Sequence, residues 1–210
     1  NDGVANLFHG ISLSVYPGDI VAIKGPSGVG KSQFMLLVAS LNPMDNEDER
    51  SSDILLCGKS RRDFHSHTDW RREVRYISQS KVDIMGTPRQ FVERICGFTC
   101  WKRQRRNMDA PPSYDEIMKT VKNLVTLWGL DTRQCLDEEW KNLSGGEAQR
   151  VFVAIAIATR PKVLLMDEST ASLDNVSKQK VEQSVLEAAA LGTCVLWISH
   201  DDGQLDRLSQ

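Results

Sequence analysis

The sequence predicts an α/β fold in which a mainly parallel sheet is flanked by helices and interrupted by an all-helical insert. Short apolar runs rich in β-branched residues alternate with longer helical patterns, which is typical of chains that build a parallel sheet. A glycine-rich loop at 25–32 joins one such run to a helix. From Thr87 to Trp140 the strand patterns cease and only helical patterns are found.

The part of the chain before the insert contains the first predicted strands and one buried helix. The strands are predicted at 11–15, 19–24, 54–57 and 74–78. The first of them, ISLSV, is predicted from its alternation of apolar and polar residues, and the last ends at Gln79. SQFMLLVAS at 32–40 predicts a largely buried helix, and the acidic residues 42–53 predict a solvated loop.

The insert is predicted to contain two main helices. PRQFVERICGF, at 88–98, predicts the first. The second, at 114–128, begins with Ser113 and Glu116 at capping-box spacing and ends before Gly129, which suits a helix C-terminus.

Strand patterns return after the insert. KVLLM at 162–166 and TCVLWIS at 193–199 predict two strands, separated by a helix at 175–190. The chain therefore divides into a first core part, a helical subdomain and a second core part, at 1–86, 87–142 and 143–210.

Composition and charge narrow the possible partners and the compartment. With 40% hydrophobic and 26% charged residues and a net charge of −2, the chain has no overall attraction to nucleic acid, and none is expected as a partner. The longest strongly apolar run, 151–158, is far shorter than the about 20 residues that a bilayer span needs. Five cysteines, an odd number without a CxxC pair, predict free thiols in a reducing compartment.

Two other features bear on the chain's surface and its extent. The basic stretch WKRQRR at 101–106 is interpreted as solvated surface, with contact to a lipid headgroup or nucleic acid as the open alternative.

The chain begins at Asn1 rather than Met and ends soon after His200, so we expect it to be a trimmed domain.

The loop GPSGVGKS fits the pattern GxxxxGK[ST] and lies between a predicted strand and a predicted helix, the context in which this pattern binds phosphate. Its glycines allow backbone N–H groups to curl around phosphate oxygens at a helix start. Lys31 supplies a charge to the β- and γ-phosphates, and Ser32 supplies a hydroxyl to Mg²⁺. The predicted nucleotide-binding residues are Gly25, Pro26, Ser27, Gly28, Val29, Gly30, Lys31, Ser32 and Gln33.

Two acids follow the buried run KVLLM. Asp167, at the strand end, is positioned to hold Mg²⁺ directly or through water. Glu168, one residue further, is positioned to act as a general base on water that attacks the γ-phosphate. The plainer alternative is a pair of solvated carboxylates.

A second glycine pair occurs in LSGGE, at 143–147, but no strand precedes it. Ser144 and Glu147 have capping-box spacing, so the helix begins at the glycines, and its first amides can face an anion. Taken alone, the motif is equally consistent with an ordinary capped helix.

The order of these motifs resembles that of the ATP-binding-cassette (ABC) ATPases over nearly the whole chain. They are GPSGVGKS, Gln79 at a strand end, LSGGEAQR, VLLMDE, SLD at 172–174 and ISHD at 198–201. The resemblance implies a P-loop NTPase core with antiparallel strands at the N-terminus and an inserted helical subdomain that docks on transmembrane subunits. It also implies head-to-tail pairing of two cassettes, in which each LSGGE loop caps the ATP held by its partner.

The resemblance further implies a role for individual residues. Gln79 senses the γ-phosphate and Mg²⁺ and relays to a membrane partner, Asp174 lies at the dimer seam, and His200 orients the attacking water with Glu168. The residues that contact the partner's ATP are Ser144, Gly145 and Gly146. The implied Mg²⁺ ligands are Ser32, Gln79 and Asp167, and the implied catalytic residues are Glu168, His200, Gln79 and Lys31.

Three departures from the family pattern stand out. Gln33 occupies a position that is usually Thr or Ser, which puts one phosphate contact in doubt. The aromatic residue that stacks on adenine is expected before residue 1, because Phe8 and Tyr16 are wrongly placed for it. The family usually continues with a further strand after the His motif, whereas this chain ends at Gln210.

The implied function is ATP hydrolysis that powers transport, at the cytoplasmic face of a membrane. A soluble ABC ATPase of DNA repair, chromosome structure or translation is the alternative. A nucleotide-binding module without turnover is disfavoured, because Glu168, Asp167, Gln79 and His200 are all present. The VLWISHD ending is also similar to that of a stand-alone bacterial type linked with iron or metal export, and of plant relatives.

Overall fold

The computed structural model describes residues 10–42, 53–80, 82–103 and 110–208. Phe8, nearly all of the predicted acidic loop at 42–53 and the end of the basic stretch at 101–106 lie outside these residues. The described strands, in chain order, are β1 (Ile20–Ile23), β2 (Leu55–Leu56), β3 (Lys59–Ser60), β4 (Val74–Ile77), β5 (Val163–Asp167) and β6 (Cys194–Ile198).

The four longer strands form one parallel sheet in the order β1-β6-β5-β4, and the two short strands form a separate antiparallel pair. The register pairs Ile23 with Ile198 and Ile198 with Asp167. Because all four strands run in the same direction, their carboxyl ends lie along one edge of the sheet. This confirms the predicted parallel core.

The described α-helices fall before, within and after the insert. They are α1 (Lys31–Val38), α2 (His67–Glu73), α3 (Pro88–Gly97), α4 (Thr99–Arg103), α5 (Tyr114–Leu127), α6 (Thr132–Asp137), α7 (Gly145–Ala158), α8 (Asn175–Ala190) and α9 (Asp202–Leu208). Two 3₁₀ turns lie at Arg61–Asp63 and Trp140–Asn142.

The helix caps account for most of the predicted boundaries. Capping boxes form at Thr87, Ser113 and Ser144, where each side chain accepts a hydrogen bond from the backbone N–H three residues on. Gly129, with φ of 78°, ends α5 in the left-handed conformation that glycine adopts without strain. Within 87–142 the described residues contain helices and no strand, as predicted. The division of the chain at 87 and 142 stays a prediction.

The predicted strand at 11–15 is wrong. These residues have no regular structure, and the antiparallel pair that the structure describes lies at 55–60. Ile11 and Leu13 are exposed, and only Val15 packs against a buried cluster. Alternation alone does not make a strand, because a strand needs a neighbour to complete its hydrogen bonds.

The core lies on both faces of the sheet. One face packs α7, α8 and the helices of the insert around buried tryptophans, among them Trp128, Trp140 and Trp197. The other face packs α1 and α2 through Met35 and Trp70. Helix α7 therefore lies between the sheet and the insert, which fixes the LSGGE loop at its N-terminus relative to the sheet edge.

Candidate active site

The predicted site residues of the core converge at the carboxyl edge of the parallel sheet. Strand β1 leads into the phosphate loop (residues 25–32), β6 leads to His200, β5 ends at Asp167 and β4 is followed by Gln79. In parallel α/β sheets this edge is where ligands bind. The sequence spreads these residues over more than 170 positions, and the strand order β1-β6-β5-β4 brings them together.

The phosphate loop is exposed and depends on glycine conformations. Gly28 and Gly30 have φ of 78° and 99°, in the left-handed region that disfavours other residues. A Cβ at Gly28 would meet no atom within 4 Å, so the backbone conformation and not space selects glycine there. The Lys31 ammonium donates to the carbonyl oxygens of Gly25, at 2.8 Å, and Pro26, at 2.9 Å.

Helix α1 begins at Lys31, with Gly30 as its N-cap and no side-chain cap. Its first backbone amides are therefore not capped by a side chain, and Ser32 beside them is exposed. Gln33, the departure from the family pattern, is exposed, and its side-chain oxygen accepts a hydrogen bond from the Asn42 amide. This bond directs the Gln33 amide toward the C-terminal end of α1.

Asp167 is buried at the end of β5, with 5% of its surface exposed. The Tyr76 hydroxyl, on the adjacent strand β4, donates a 2.8 Å hydrogen bond to Asp167 Oδ2. Burial and this hydrogen bond raise the pKa of Tyr76 well above its ordinary value, so the phenol stays protonated and stays a donor. The bond holds one carboxylate oxygen in place, and the structure describes no hydrogen bond to Oδ1.

Glu168 and His200 form a direct pair at the site. His200 Nε2 lies 2.9 Å from Glu168 Oε1. The backbone of Glu168 has φ of 47°, a conformation that is strained for a non-glycine residue, and its N–H donates to the Ile198 carbonyl at 3.0 Å. This backbone bond to the neighbouring strand holds the strained turn that directs the carboxylate toward His200.

Gln79 is exposed two residues beyond the end of β4. Its segment is attached to α7, because the buried Gln149 amide donates a 3.1 Å hydrogen bond to the Ser78 carbonyl. The structure describes no hydrogen bond between Gln79 and Asp167.

The LSGGE loop is a helix start, as predicted. Ser144 accepts from the Glu147 N–H, and Glu147 Oε2 accepts from the Ser144 N–H at 2.9 Å. The Ser144 hydrogen bonds lower the pKa of Glu147, so the capping carboxylate stays ionised. Ser144 and Gly145 are exposed, and Gly146 is half-buried. Among the described residues, no hydrogen bond joins 144–146 to the phosphate loop, so the two glycine-rich segments do not form one site within this chain.

Asp174 is an exposed N-cap of α8, where its Oδ1 accepts from the Ser177 N–H at 2.9 Å. Hydrogen bonds from Ser177 lower the pKa of Asp174, which keeps the side chain charged. The Arg150 guanidinium of α7 donates to Ser177 Oγ at 2.9 Å. The LSGGE helix and the turn at Asp174 are therefore joined. A role of Asp174 in pairing stays a prediction.

Two polar links at the site were not predicted. One is Tyr76 with Asp167, and the other is the 2.8 Å ion pair between Lys178 Nζ and Asp201 Oδ2, which ties α8 to the residue after His200. A tyrosine on a buried strand indicates that such a link exists, since a buried hydroxyl usually finds a hydrogen-bond partner. Its partner, 91 positions away, could be identified only from the strand order.

The residues also fit the Mg²⁺ that was predicted. Mg²⁺ prefers oxygen ligands and is usually held by one or two carboxylates together with substrate phosphates. Ser32 Oγ and Asp167 Oδ1 are oxygen donors of this kind. Among the described residues, no cluster of three or more His, Cys, Asp or Glu side chains could hold a metal without such phosphates.

Comparison with known proteins places these features in a family. Residues 8–171 match the family model described as ABC transporter. The chain is 31% identical over 215 residues to a phosphate import ATP-binding protein PstB of Colwellia psychrerythraea, covering 97% of this chain and 73% of that protein. It is 30% identical to the leptomycin B resistance protein pmd1 of Schizosaccharomyces pombe, covering 92% of this chain.

The chain matches only part of some relatives. It spans 13% of pmd1 and 24% of the probable microcin-H47 secretion/processing ATP-binding protein MchF of Escherichia coli, to which it is 34% identical over 86% of its own length. Within the part of the chain that the structure describes, no helix is long and apolar enough to span a bilayer.

Solved structures with the same fold include an ATP-binding subunit of an ABC transporter, with a TM-score of 0.80, 20% identity and coverage of 99% of this chain and 79% of that one. Another is an ATP-binding cassette described as a dimer in a post-hydrolysis state bound to ADP and Pi. Its TM-score is 0.72 and its identity 22%, over 94% of this chain and 82% of that one. The family match, the relatives and the site geometry agree, and the chain belongs to the ABC transporter family.

Proposed function

We propose that this chain binds and hydrolyses ATP and that hydrolysis powers transport across a membrane. The observation that carries the proposal is the 2.9 Å pair of Glu168 and His200, at the sheet edge that also bears the phosphate loop. A carboxylate held in a strained backbone conformation beside an imidazole suits a proton acceptor better than it suits a solvated strand end.

The phosphate loop binds the nucleotide in this proposal. Free amides at the start of α1 and the Lys31 ammonium take the phosphate oxygens, which replace the carbonyls of Gly25 and Pro26 as partners of Lys31. Ser32 and Asp167 would hold Mg²⁺, with Gln79 as the third predicted ligand, and the ion would neutralise charge on the phosphates. The Tyr76 hydroxyl fixes the orientation of the Asp167 carboxylate through its hydrogen bond to Oδ2.

Glu168 accepts the proton of the water that attacks the γ-phosphate, and His200 orients that water and contacts the γ-phosphate. The His200 ring donates from Nε2 to Glu168, which fixes both side chains before the nucleotide arrives. This preorganisation avoids the cost of arranging the two groups during the reaction.

The site is completed by a second cassette that binds head to tail. The exposed Ser144 and Gly145 and the half-buried Gly146 face the ATP of the partner, and Asp174 lies at the seam. Two observations support this pairing: the LSGGE loop has no hydrogen bond to the phosphate loop among the described residues, and a solved structure of the same fold is described as dimeric. Membrane subunits dock on the helical segment at 87–142, at the cytoplasmic face.

The transport role is supported by relatives whose names include phosphate import and microcin secretion. The narrower resemblance to an iron or metal exporter rests on the VLWISHD ending alone and stays a prediction. A positioned general base contributes about 10²–10⁴-fold to rate. Glu168→Gln should therefore bind Mg·ATP as well as the wild type and turn over at least about a hundredfold more slowly.

The test compares ATP affinity by calorimetry with phosphate release at saturating ATP. Since hydrolysis opens the pair, Glu168→Gln with Mg·ATP should also elute as a dimer in size-exclusion chromatography. Near-wild-type phosphate release by this variant would remove Glu168 from the base role and leave His200 as the next residue to test.

A further inference from the structure

A buried glutamine, Gln204 on α9, joins the two segments that carry Glu168 and His200. Its backbone N–H donates to Asp201 Oδ1 at 3.0 Å, and Asp201 directly follows His200. Its side-chain Nε2 donates to Thr170 Oγ1 at 2.9 Å, and Thr170 is the second residue after Glu168. One residue therefore contacts the segment after β6 and the turn after β5 at the same time.

The turn that contains Thr170 is closed next to Glu168. The Ala171 N–H donates to the Glu168 carbonyl at 3.0 Å, and Thr170 itself is buried. The buried hydroxyl that accepts from Gln204 is therefore held within two residues of the carboxylate that contacts His200. A shift of Thr170 would move the Glu168 backbone, whose φ of 47° is already strained.

The orientation of the Gln204 amide is set by a buried ion pair. Glu182 on α8 is buried, and its two oxygens accept from Arg207 Nε at 2.9 Å and Nη2 at 3.0 Å. A carboxylate paired in this way only accepts hydrogen bonds, so the nitrogen of the Gln204 amide faces it, 2.8 Å from Glu182 Oε1. The second N–H of the same nitrogen reaches Thr170, so both donors of this buried amide are used.

Helix α8 also holds Asp201 directly. Lys178 Nζ donates to Asp201 Oδ2 at 2.8 Å, while the Gln204 N–H donates to Oδ1. Lys178 and Glu182 lie four residues apart and so share one face of α8. This face therefore supports the residue after His200 and the amide that reaches the turn after Glu168.

We infer that Gln204 is a positioning residue that sets the relative position of Glu168 and His200 by linking Thr170 to Asp201. This role rests on the proposed function, in which the pair acts on the attacking water. Strands β5 and β6 fix where the two segments begin, and Gln204 joins them beyond the strand ends, where the pair lies. A misplacement of about 1 Å can cost about a hundredfold in rate. Loss of the link should therefore lower kcat, whereas ATP affinity depends on the phosphate loop after β1.

The first test removes the link from either side and measures phosphate release at saturating ATP. Gln204→Leu and Thr170→Val should each lower kcat at least about fivefold. Both should leave the ATP affinity, measured by calorimetric titration, unchanged. Thr170→Ser keeps the hydroxyl and should keep the wild-type kcat. A loss in Thr170→Ser as large as that in Thr170→Val would show that packing of the side chain matters and not the hydrogen bond, and would overturn the inference.

A double-mutant cycle tests whether the two groups act through their contact. The variant with both Gln204→Leu and Thr170→Val should lose no more kcat than the larger single loss, since either change already breaks the link. Arg207→Met is the stability control, because it removes two hydrogen bonds to Glu182 and not the bond between Gln204 and Thr170. It should lower the thermal unfolding midpoint and keep kcat near the wild-type value. Losses that multiply in the double variant, or a loss of kcat in Arg207→Met equal to that in Gln204→Leu, would overturn the inference.

The second test is made without ATP. Long-range proton–nitrogen NMR spectra show which ring nitrogen of a neutral histidine carries the proton, and the His200 signals are identified by their loss in His200→Asn. In the wild type His200 should be the Nε2–H tautomer, because Nε2 lies 2.9 Å from Glu168 Oε1. In Gln204→Leu both ring nitrogens should shift toward the average of the two tautomers. Gln183→Leu, a change to an exposed glutamine on α8, is the control and should keep the wild-type signals.

The two tests separate this positioning role from the proposed function. If the wild type releases no phosphate, the proposed function is wrong, and the His200 signals still decide whether Gln204 positions the pair. If the wild type and Gln204→Leu release phosphate at the same rate, only the positioning role is wrong. Unchanged His200 signals in Gln204→Leu would likewise overturn it.

Discussion

His200 Nε2 contacts Glu168 Oε1 at 2.9 Å, although the two residues lie on different strand ends and 32 positions apart. The contact follows from the pairing of β5 with β6, which sets Asp167 opposite Ile198. Glu168 is the next residue after Asp167 at the end of β5, and His200 is the second residue after Ile198 at the end of β6. Because Nε2 faces the carboxylate, Nε2 carries the proton when the ring is neutral, and Nδ1 is then an acceptor.

Lys31→Ala should weaken ATP binding and abolish turnover. The ammonium is held in the phosphate loop by two carbonyls and is the charge nearest the expected β- and γ-phosphates. Calorimetric titration with ATP, followed by a phosphate-release assay, measures both effects. Lys59→Ala, whose ammonium lies over Phe64 on the antiparallel pair, is the control and should bind ATP normally. Unchanged affinity in Lys31→Ala would contradict the assignment of the phosphate loop.

Tyr76→Phe should raise the Mg²⁺ concentration that gives half-maximal ATP hydrolysis by several-fold. The change removes the hydrogen bond that orients Asp167 and keeps the ring, and a hydrogen bond to a charged group is worth about 1.5–3 kcal/mol. Thermal unfolding, measured without Mg²⁺, reports the stability part of this loss separately. Tyr114→Phe in the insert is the control.

The two parts of the result have different meanings. If Tyr76→Phe lowers stability and leaves the Mg²⁺ dependence at the wild-type value, the hydrogen bond supports the fold only. A shift in Mg²⁺ dependence that Tyr114→Phe does not share would identify Tyr76 as a positioning residue for Asp167.

Ser144→Arg should leave ATP binding by the monomer intact and reduce hydrolysis at least tenfold. The added side chain would project into the γ-phosphate pocket of the partner cassette. The change also removes a helix cap, worth about 0.5–2 kcal/mol of stability. Ser144→Ala loses the same cap without adding bulk or charge, so it is the matched control. Normal hydrolysis by Ser144→Arg would show that the LSGGE loop serves only as the start of a helix.

The sequence predicts most of the strands and helices around this site for a physical reason. The strands that pair in the parallel sheet are short, mainly apolar runs, and the three capping boxes are local, so both patterns are visible in short stretches of the sequence. Helices α2 and α6 were missed because they are too short to show a period, and their ends depend on single caps at Ser66 and Asp131.

What the sequence does not predict depends on contacts between distant segments. The partner of Tyr76 follows from the register of β4 with β5. The predicted strand at 11–15 fails for the same reason, because its pattern is correct and its neighbour is missing among the described residues. For residues 144–146 and Asp174 the reason is different, because the contacts predicted for them are with another chain.

Glu168 offers a separate test of whether the site stores strain. Its φ of 47° lies in the left-handed region, which costs an ordinary L-residue roughly 1–2 kcal/mol and costs glycine almost nothing. Glu168→Gly and Glu168→Ala both remove the carboxylate and the contact with His200, and they differ chiefly in this backbone preference. Glu168→Gly should therefore be the more stable of the two by about 1 kcal/mol, even though glycine usually lowers stability.

Thermal unfolding of the two variants measures this difference, which corresponds to a gap of about 2–4 °C in a chain of this size. Neither variant should hydrolyse ATP above a few per cent of the wild-type rate, because both lack the proton acceptor. If Glu168→Ala proves equal to or more stable than Glu168→Gly, the turn after β5 relaxes without cost. The left-handed backbone at Glu168 would then not be a strained feature maintained for catalysis.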